Sequence, residues 1–156
     1  MKRLLTAGTL ILCAFGSLAA QTKQLKSFDE LMRSLKAGKE VRAVIHYAKC
    51  KLVIDSVETT SPDAVGGMSL STFEYFARMS VRNPKAFVSS SETVLISHPR
   101  YGYVHNYVKI RIYEDSKVEI TARYLVPNTL KVVMDETFYG AISTGDDPNG
   151  VFLFED

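Results

Sequence analysis

Cysteine is scarce in this sequence: Cys13 and Cys50 are the only two, and Cys13 falls in an N-terminal apolar stretch that reads as a removed leader. A mature chain with one thiol forms no internal disulfide, so packing alone must hold the fold. Cys50 is then either a buried, inert thiol or one free to bridge two chains, and its place directly after an apolar strand favours burial. Charge of one sign is scarce as well. Nineteen Lys and Arg stand against seventeen Asp and Glu, and Lys2 and Arg3 belong to the leader, which leaves the mature chain balanced. Without an excess or a cluster of bases it lacks the electrostatic footprint that phosphate binding needs, so nucleic acid is excluded as a partner.

Catalytic and metal-binding patterns are missing too. His46, His98 and His105 are the only histidines; none has His-x-x-x-His spacing and no Cys-x-x-Cys occurs, so neither a metal nor another cofactor is expected. His46 and Cys50 could be imagined as base and nucleophile, but four residues along one strand separate them by about 13 Å. Ser89-Ser90-Ser91 lacks the Gly-x-Ser-x-Gly elbow of a hydrolase and reads as a turn. Gly66-Gly67 has neither the Lys nor the following helix of a phosphate loop, and reads as a turn also.

What is present begins with export. Met1-Lys2-Arg3 is a positive start, Leu4 to Phe15 is apolar, and Ser17-Leu18-Ala19-Ala20 supplies small residues for a peptidase. Residues 1–20 therefore read as a signal peptide, and the protein as periplasmic or secreted. The apolar stretch is shorter than the roughly 20 residues that span a bilayer. Cys13 follows Leu12 inside that stretch, where a lipidation site would want a small residue. No integral membrane segment is expected after cleavage. Residues 21–156, roughly 136 in number, suit a single domain with a core of its own.

The fold class expected is α+β, mainly antiparallel β. A helix is predicted over Ser27–Ala37: Ser27 and Glu30 have capping-box spacing, Gly38 supplies a left-handed stop, and Phe28, Leu31, Met32 and Leu35 share one face. From Val41 the period changes to two, and β-branched and aromatic residues dominate. Strands are expected at Val41–Ala48, Met68–Met79, Lys85–Val88, Glu92–Ser97, Tyr103–Tyr113, Lys117–Val126, Leu130–Ile142 and Val151–Phe154, while Leu52–Ser61 fits strand or loop. Short connections favour antiparallel neighbours, hence one helix on a strongly curved meander, either an open sheet or a partly closed barrel.

Parity then fixes register. A three-residue loop at Glu114-Asp115-Ser116 sets Arg111 opposite Glu119, Lys109 opposite Thr121 and Tyr107 opposite Arg123. A similar loop at Pro127-Asn128-Thr129 would set Glu136 opposite Ile120, on an inner face shared with Val132, Met134 and Phe138. A carboxylate among apolar neighbours calls for an explanation. A bulge could turn it outward, a basic or hydroxyl partner could satisfy it, or Glu136, with Asn106 and Tyr124 from the same face, could line a pocket for a small polar or amphipathic ligand.

The run Leu31 to Cys50, Leu-Met-Arg-Ser-Leu-Lys-Ala-Gly-Lys-Glu-Val-Arg-Ala-Val-Ile-His-Tyr-Ala-Lys-Cys, resembles the opening of the VirK-like family of small exported bacterial proteins. Gly66-Gly67, the aromatic stretch Phe73 to Phe76, Ala86-Phe87 and the hairpin Tyr107 to Tyr124 follow in that family's order, so the resemblance covers nearly all of the mature chain. Where such proteins carry Asp and His after the Ala-Phe pair, this chain has Ser90-Ser91-Glu92-Thr93, so no shared polar site is carried over. The resemblance implies an exported, virulence- or host-associated protein and assigns no catalytic residue. Two functions follow as expectations. The first is a non-enzymatic protein that binds an unknown small molecule or protein. The second is a hydrolase or isomerase using Glu136 in a barrel-like cavity. A cavity gathering two or more ionisable side chains is the observation that bears on the choice.

Overall fold

The computed structural model describes residues 22–156, so the expected signal peptide lies outside the described residues. Two antiparallel sheets carry the chain, and neither closes into a barrel. The smaller has the order β1 (Lys23–Leu25), β11 (Val151–Glu155), β2 (Val41–His46), β5 (Val65–Ser69). The larger runs β4 (Val57–Thr59), β3 (Lys51–Ile54), β10 (Val132–Ala141), β9 (Lys117–Leu125), β8 (Gly102–Tyr113), β7 (Phe87–His98), β6 (Glu74–Phe76). Strands β6 to β10 are the expected meander, and the β3–β4 hairpin extends it.

Helix α1 spans Phe28–Lys36, one residue inside the predicted range at each end. Ser27 Oγ accepts the Glu30 amide at 3.3 Å, while the Glu30 carboxylate reaches back to the amide of Lys26 at 2.7 Å, one residue beyond the usual capping-box partner. At the far end Gly38, at φ 72°, lets its own amide reach Leu35 O and that of Lys39 reach Ser34 O. These two bonds form a Schellman stop. Phe28, Leu31, Met32 and Leu35 are buried as their spacing required. They join Leu25, Val41, Ala43, Ile45 and Leu153 of the small sheet, and Ile110, Ile112, Val118 and Ile120 of the large one, in one core.

Several strand boundaries differ from the expectation, each for a local reason. The segment Met68–Met79 is not one strand: β5 ends at Ser69, the chain crosses between sheets, and β6 resumes at Glu74. The serine run is not a turn, because Ser89-Ser90-Ser91 lie inside a continuous twelve-residue β7. There Ser90 is buried and donates to Thr72 O at 2.6 Å, anchoring the crossing chain. Gly66-Gly67 is likewise strand, within β5. Leu52–Ser61 contains the β3–β4 hairpin, whose turn residues Asp55 and Ser56 both have positive φ. That geometry usually advertises itself with glycine, which is absent here. The short β1 carries too little pattern to be seen.

The register of the β8–β9 hairpin is as parity required, with Arg111 opposite Glu119, Lys109 opposite Thr121 and Tyr107 opposite Arg123. In the β9–β10 hairpin Glu136 faces Ala122, not Ile120, which instead faces Phe138. The loop holds four residues, since the Val126 amide bonds Lys131 O, and a bulge then follows between Val132 and Met134. Each adds one residue to β10. Because side chains alternate with period two, the two additions together restore parity and leave Glu136 on the inner face.

Candidate functional site

The inner face of the large sheet is only partly covered by the core. Toward one end of β8, β9 and β10 it is roofed by the lead-in to β5 and by a single 3₁₀ turn, Tyr47–Lys49, that follows β2. A cavity of about 290 Å³ lies between. Its floor is Asn106 and Val108 of β8, Ala122 and Tyr124 of β9, and Met134, Glu136 and Phe138 of β10. Its roof and rim are Tyr47, Pro62, Ala64, Val65 and Gly66. The three residues singled out in the sequence, Glu136, Asn106 and Tyr124, thus line one space, drawn from three adjacent strands.

Tyr47 was missed because β2 was expected to run to Ala48. The strand ends at His46, and the Tyr47 amide turns to bond Ala64 O at 2.9 Å. Its ring then packs on Phe138 with centroids 4.7 Å apart. Gly66 explains how the ring fits: a Cβ there would sit 2.9 Å from Tyr47 Cε2, closer than real carbons approach. The glycine is required by this close approach rather than by a turn. Its neighbourhood with Tyr47 would have been the sequence signal, had the strand end been placed correctly.

Glu136 is half-buried, and no ion pair or hydrogen bond to its carboxylate occurs among the described residues. Desolvation by burial raises its pKa above the ordinary carboxylate value. The bulge does not turn it outward and no base satisfies it, so neither of the two simple explanations holds. Burial, together with Cys50, Tyr124 and Glu136 nearby, likewise holds the Tyr47 phenol above its usual pKa. The cavity therefore gathers one carboxyl and two phenols. Neither phenol hydrogen-bonds the carboxyl, and the lining contains no histidine, cysteine, serine, lysine or arginine. Chemically the arrangement offers one carboxyl, an amide and two phenol hydroxyls on apolar walls.

None of the other candidates lines the cavity, although His98 packs on Tyr124. His46 meets Phe152 edge-on at 5.3 Å. His98 stacks on Tyr101 at 4.9 Å and accepts the Arg100 amide at its Nδ1. His105 faces the opposite side of β8 from Asn106. Cys50 is buried, as expected, and burial raises its pKa. It does not share a strand with His46; the 3₁₀ turn brings its Sγ to 3.7 Å from the His46 carbonyl oxygen, not the imidazole. No group of metal-ligating side chains occurs among the described residues, and no helix is long and apolar enough to cross a membrane.

The family described as VirK protein matches residues 24–130. That span holds the cavity's roof and the β8 and β9 floor and stops before β10, which carries Glu136. Among solved structures the chain is similar to the crystal structure of lpg1832, a VirK family protein from Legionella pneumophila. The TM-score is 0.65 and the identity 14%, over 84% of this chain and 98% of that one. No curated protein matches the chain in sequence.

Proposed function

The chain belongs to the VirK family, and we propose that it is an exported protein that acts by binding a small ligand in the cavity beneath β5, without chemical turnover. One observation carries the reading: Glu136, Asn106 and Tyr124 meet Tyr47 around a space of about 290 Å³, near the lower end of ordinary ligand sites. Apolar walls with a few convergent polar groups are what such sites offer. The cavity gathers three ionisable side chains, yet binding rather than catalysis is favoured because the lining supplies no serine, cysteine or lysine nucleophile and no group bonded to Glu136 that would orient it as an acid, base or nucleophile.

Export rests on the first twenty residues. It predicts a mature N-terminus between Ala19 and Thr22 by mass determination, and an intact precursor recovered from the cytoplasm would remove it. The site is tested by following the Glu136 carboxyl by NMR, with and without candidate ligands. A titration midpoint above that of ordinary glutamate, moved by a ligand that also shifts the Ala122 and Met134 methyls, is the expected result. An unperturbed midpoint indifferent to every ligand would overturn the site.

A further inference from the structure

The cavity's lining carries one formal charge, and it is negative. Glu136 is the sole carboxyl among the lining residues, and no Lys, Arg or His balances it. Arg123, next to the facing Ala122, belongs to the other face of β9, where it bonds Asp135 at 3.0 Å. Around the carboxyl stand aromatic rings. Tyr47 leans on Phe138 at 4.7 Å, and Tyr124 packs with His98 at 5.1 Å and Tyr101 at 6.0 Å. Rings held by such neighbours meet a ligand at little further entropic cost.

An unpaired, partly desolvated carboxylate is a costly feature that a bound cation offsets, whereas an anion would meet repulsion and no donor but the Asn106 amide and two hydroxyls. Aromatic faces attract cations through their quadrupole, and apolar walls take up a hydrocarbon body. Resting on the binding site proposed above, we infer that the ligand is a primary or substituted organic ammonium with a small apolar or aryl body. Its nitrogen would sit against Glu136 between Tyr47 and Tyr124, and its body against Val65, Val108 and Met134. A metal ion is the poorer fit, since one carboxylate and one amide oxygen fall short of the oxygen shell that hard cations take.

The test uses the purified chain and closely matched sets that differ chiefly in charge: phenethylamine, 2-phenylethanol and phenylacetate, with butylamine, butanol and butyrate as an alkyl set. Affinity is read by calorimetry, and location by the methyl shifts of Ala122 and Met134. The amines should bind at least about tenfold more tightly than their alcohols, as a charge-assisted contact allows. In Glu136→Gln that preference should collapse while alcohol binding persists, and Tyr124→Leu should weaken the amines more than the alcohols. Alcohols or carboxylates that bind the cavity as well as the amines would overturn the ligand class and leave the site standing. If no member of either set shifts the cavity methyls, both the class and the site fall.

Discussion

Two neighbouring rows cross the inner face of the large sheet one step apart on the same strands. Ser90, Ile110, Ile120, Phe138 and Leu52 form the first, and all five are buried. Glu92, Val108, Ala122 and Glu136 form the second; there Glu92 is exposed and Glu136 and Val108 are only half-buried. Strand conformation and face are shared, so neither explains the contrast. What differs is the covering. Across the first row lie the helix and the small sheet, and β3 extends it beyond Phe138. Pairing between β3 and β10 stops at Val53 and Thr137, and above the second row β5 offers glycine. One sheet face thus serves as core where the helix and small sheet fill the space above it, and as a cavity where Gly66 leaves that space open beneath a looser roof.

The contrast is broken most severely by removing its buried side. Phe138→Ala empties a position that is 2% exposed and should cost about 3–5 kcal/mol in denaturant unfolding. Met134→Ala, four residues back on the same strand and face, should cost less than half of that, roughly 1–2 kcal/mol, because much of its side chain already meets the cavity. Equal losses would mean that the open row is packed as tightly as the closed one.

A smaller loss is expected at the edge of the roof. Glu155, near the end of β11, is bonded by Ser34 of the helix and by Lys39 at 2.9 Å, with Lys23 at 3.5 Å. The hydroxyl and lysine contacts hold its carboxyl down to about 2, from an ordinary 4.5. A carboxyl with a lowered folded pKa contributes stability that is present above its unfolded value and disappears as pH falls through the folded one. Stability should therefore decline between pH 4.5 and 2 in part through this residue. In Glu155→Gln that part of the decline should be missing and the midpoint at pH 7 lowered, both read by thermal unfolding.

Smaller again is the helix cap. Ser27→Ala removes the oxygen that accepts the Glu30 amide and should cost about 1 kcal/mol, without moving the Ala122 methyl in the cavity. A change confined to a few tenths would show that the Glu30 bond to Lys26 is enough to start the helix. Movement of Ala122 would show that the two halves of the face are coupled.

The buried half was the more legible in the sequence, because helix periodicity, the cap and strand alternation all report on packing. Phe28, Leu31 and Leu35 were placed by spacing alone, as were the pairs of the β8–β9 hairpin. The cavity was legible only on its floor, where parity put Glu136, Asn106 and Tyr124 on one face. Its roof depends on where β2 stops and on a crossing between sheets, and neither leaves a periodic trace. Tyr47 and Gly66 were therefore read as strand and turn when they are turn and strand. The placement of Glu136 survived for a physical reason, since a longer loop and a bulge each shifted β10 by one residue and alternation repeats every two.

The smallest effect carries the opposite sign and bears most directly on the open row. Burial raises the pKa of Glu136, and among the described residues no base offsets it. For an acid, a raised folded pKa means that the folded state holds the proton more tightly than the unfolded chain. Near pH 4, where the carboxyl is largely protonated in both states, it costs nothing. As pH rises through the ordinary value of 4.5 the unfolded chain releases its proton first, and stability falls until the folded group has titrated as well. Glu136→Gln removes that penalty. The variant should match the parent near pH 4 and be slightly more stable at pH 7, a small gain because the carboxyl is only half-buried and water screens it. Denaturant unfolding at the two pH values reads the difference. A parent more stable than the variant at pH 7 would mean that the carboxylate has a stabilising partner, and the open row would then be satisfied from within rather than waiting for a ligand.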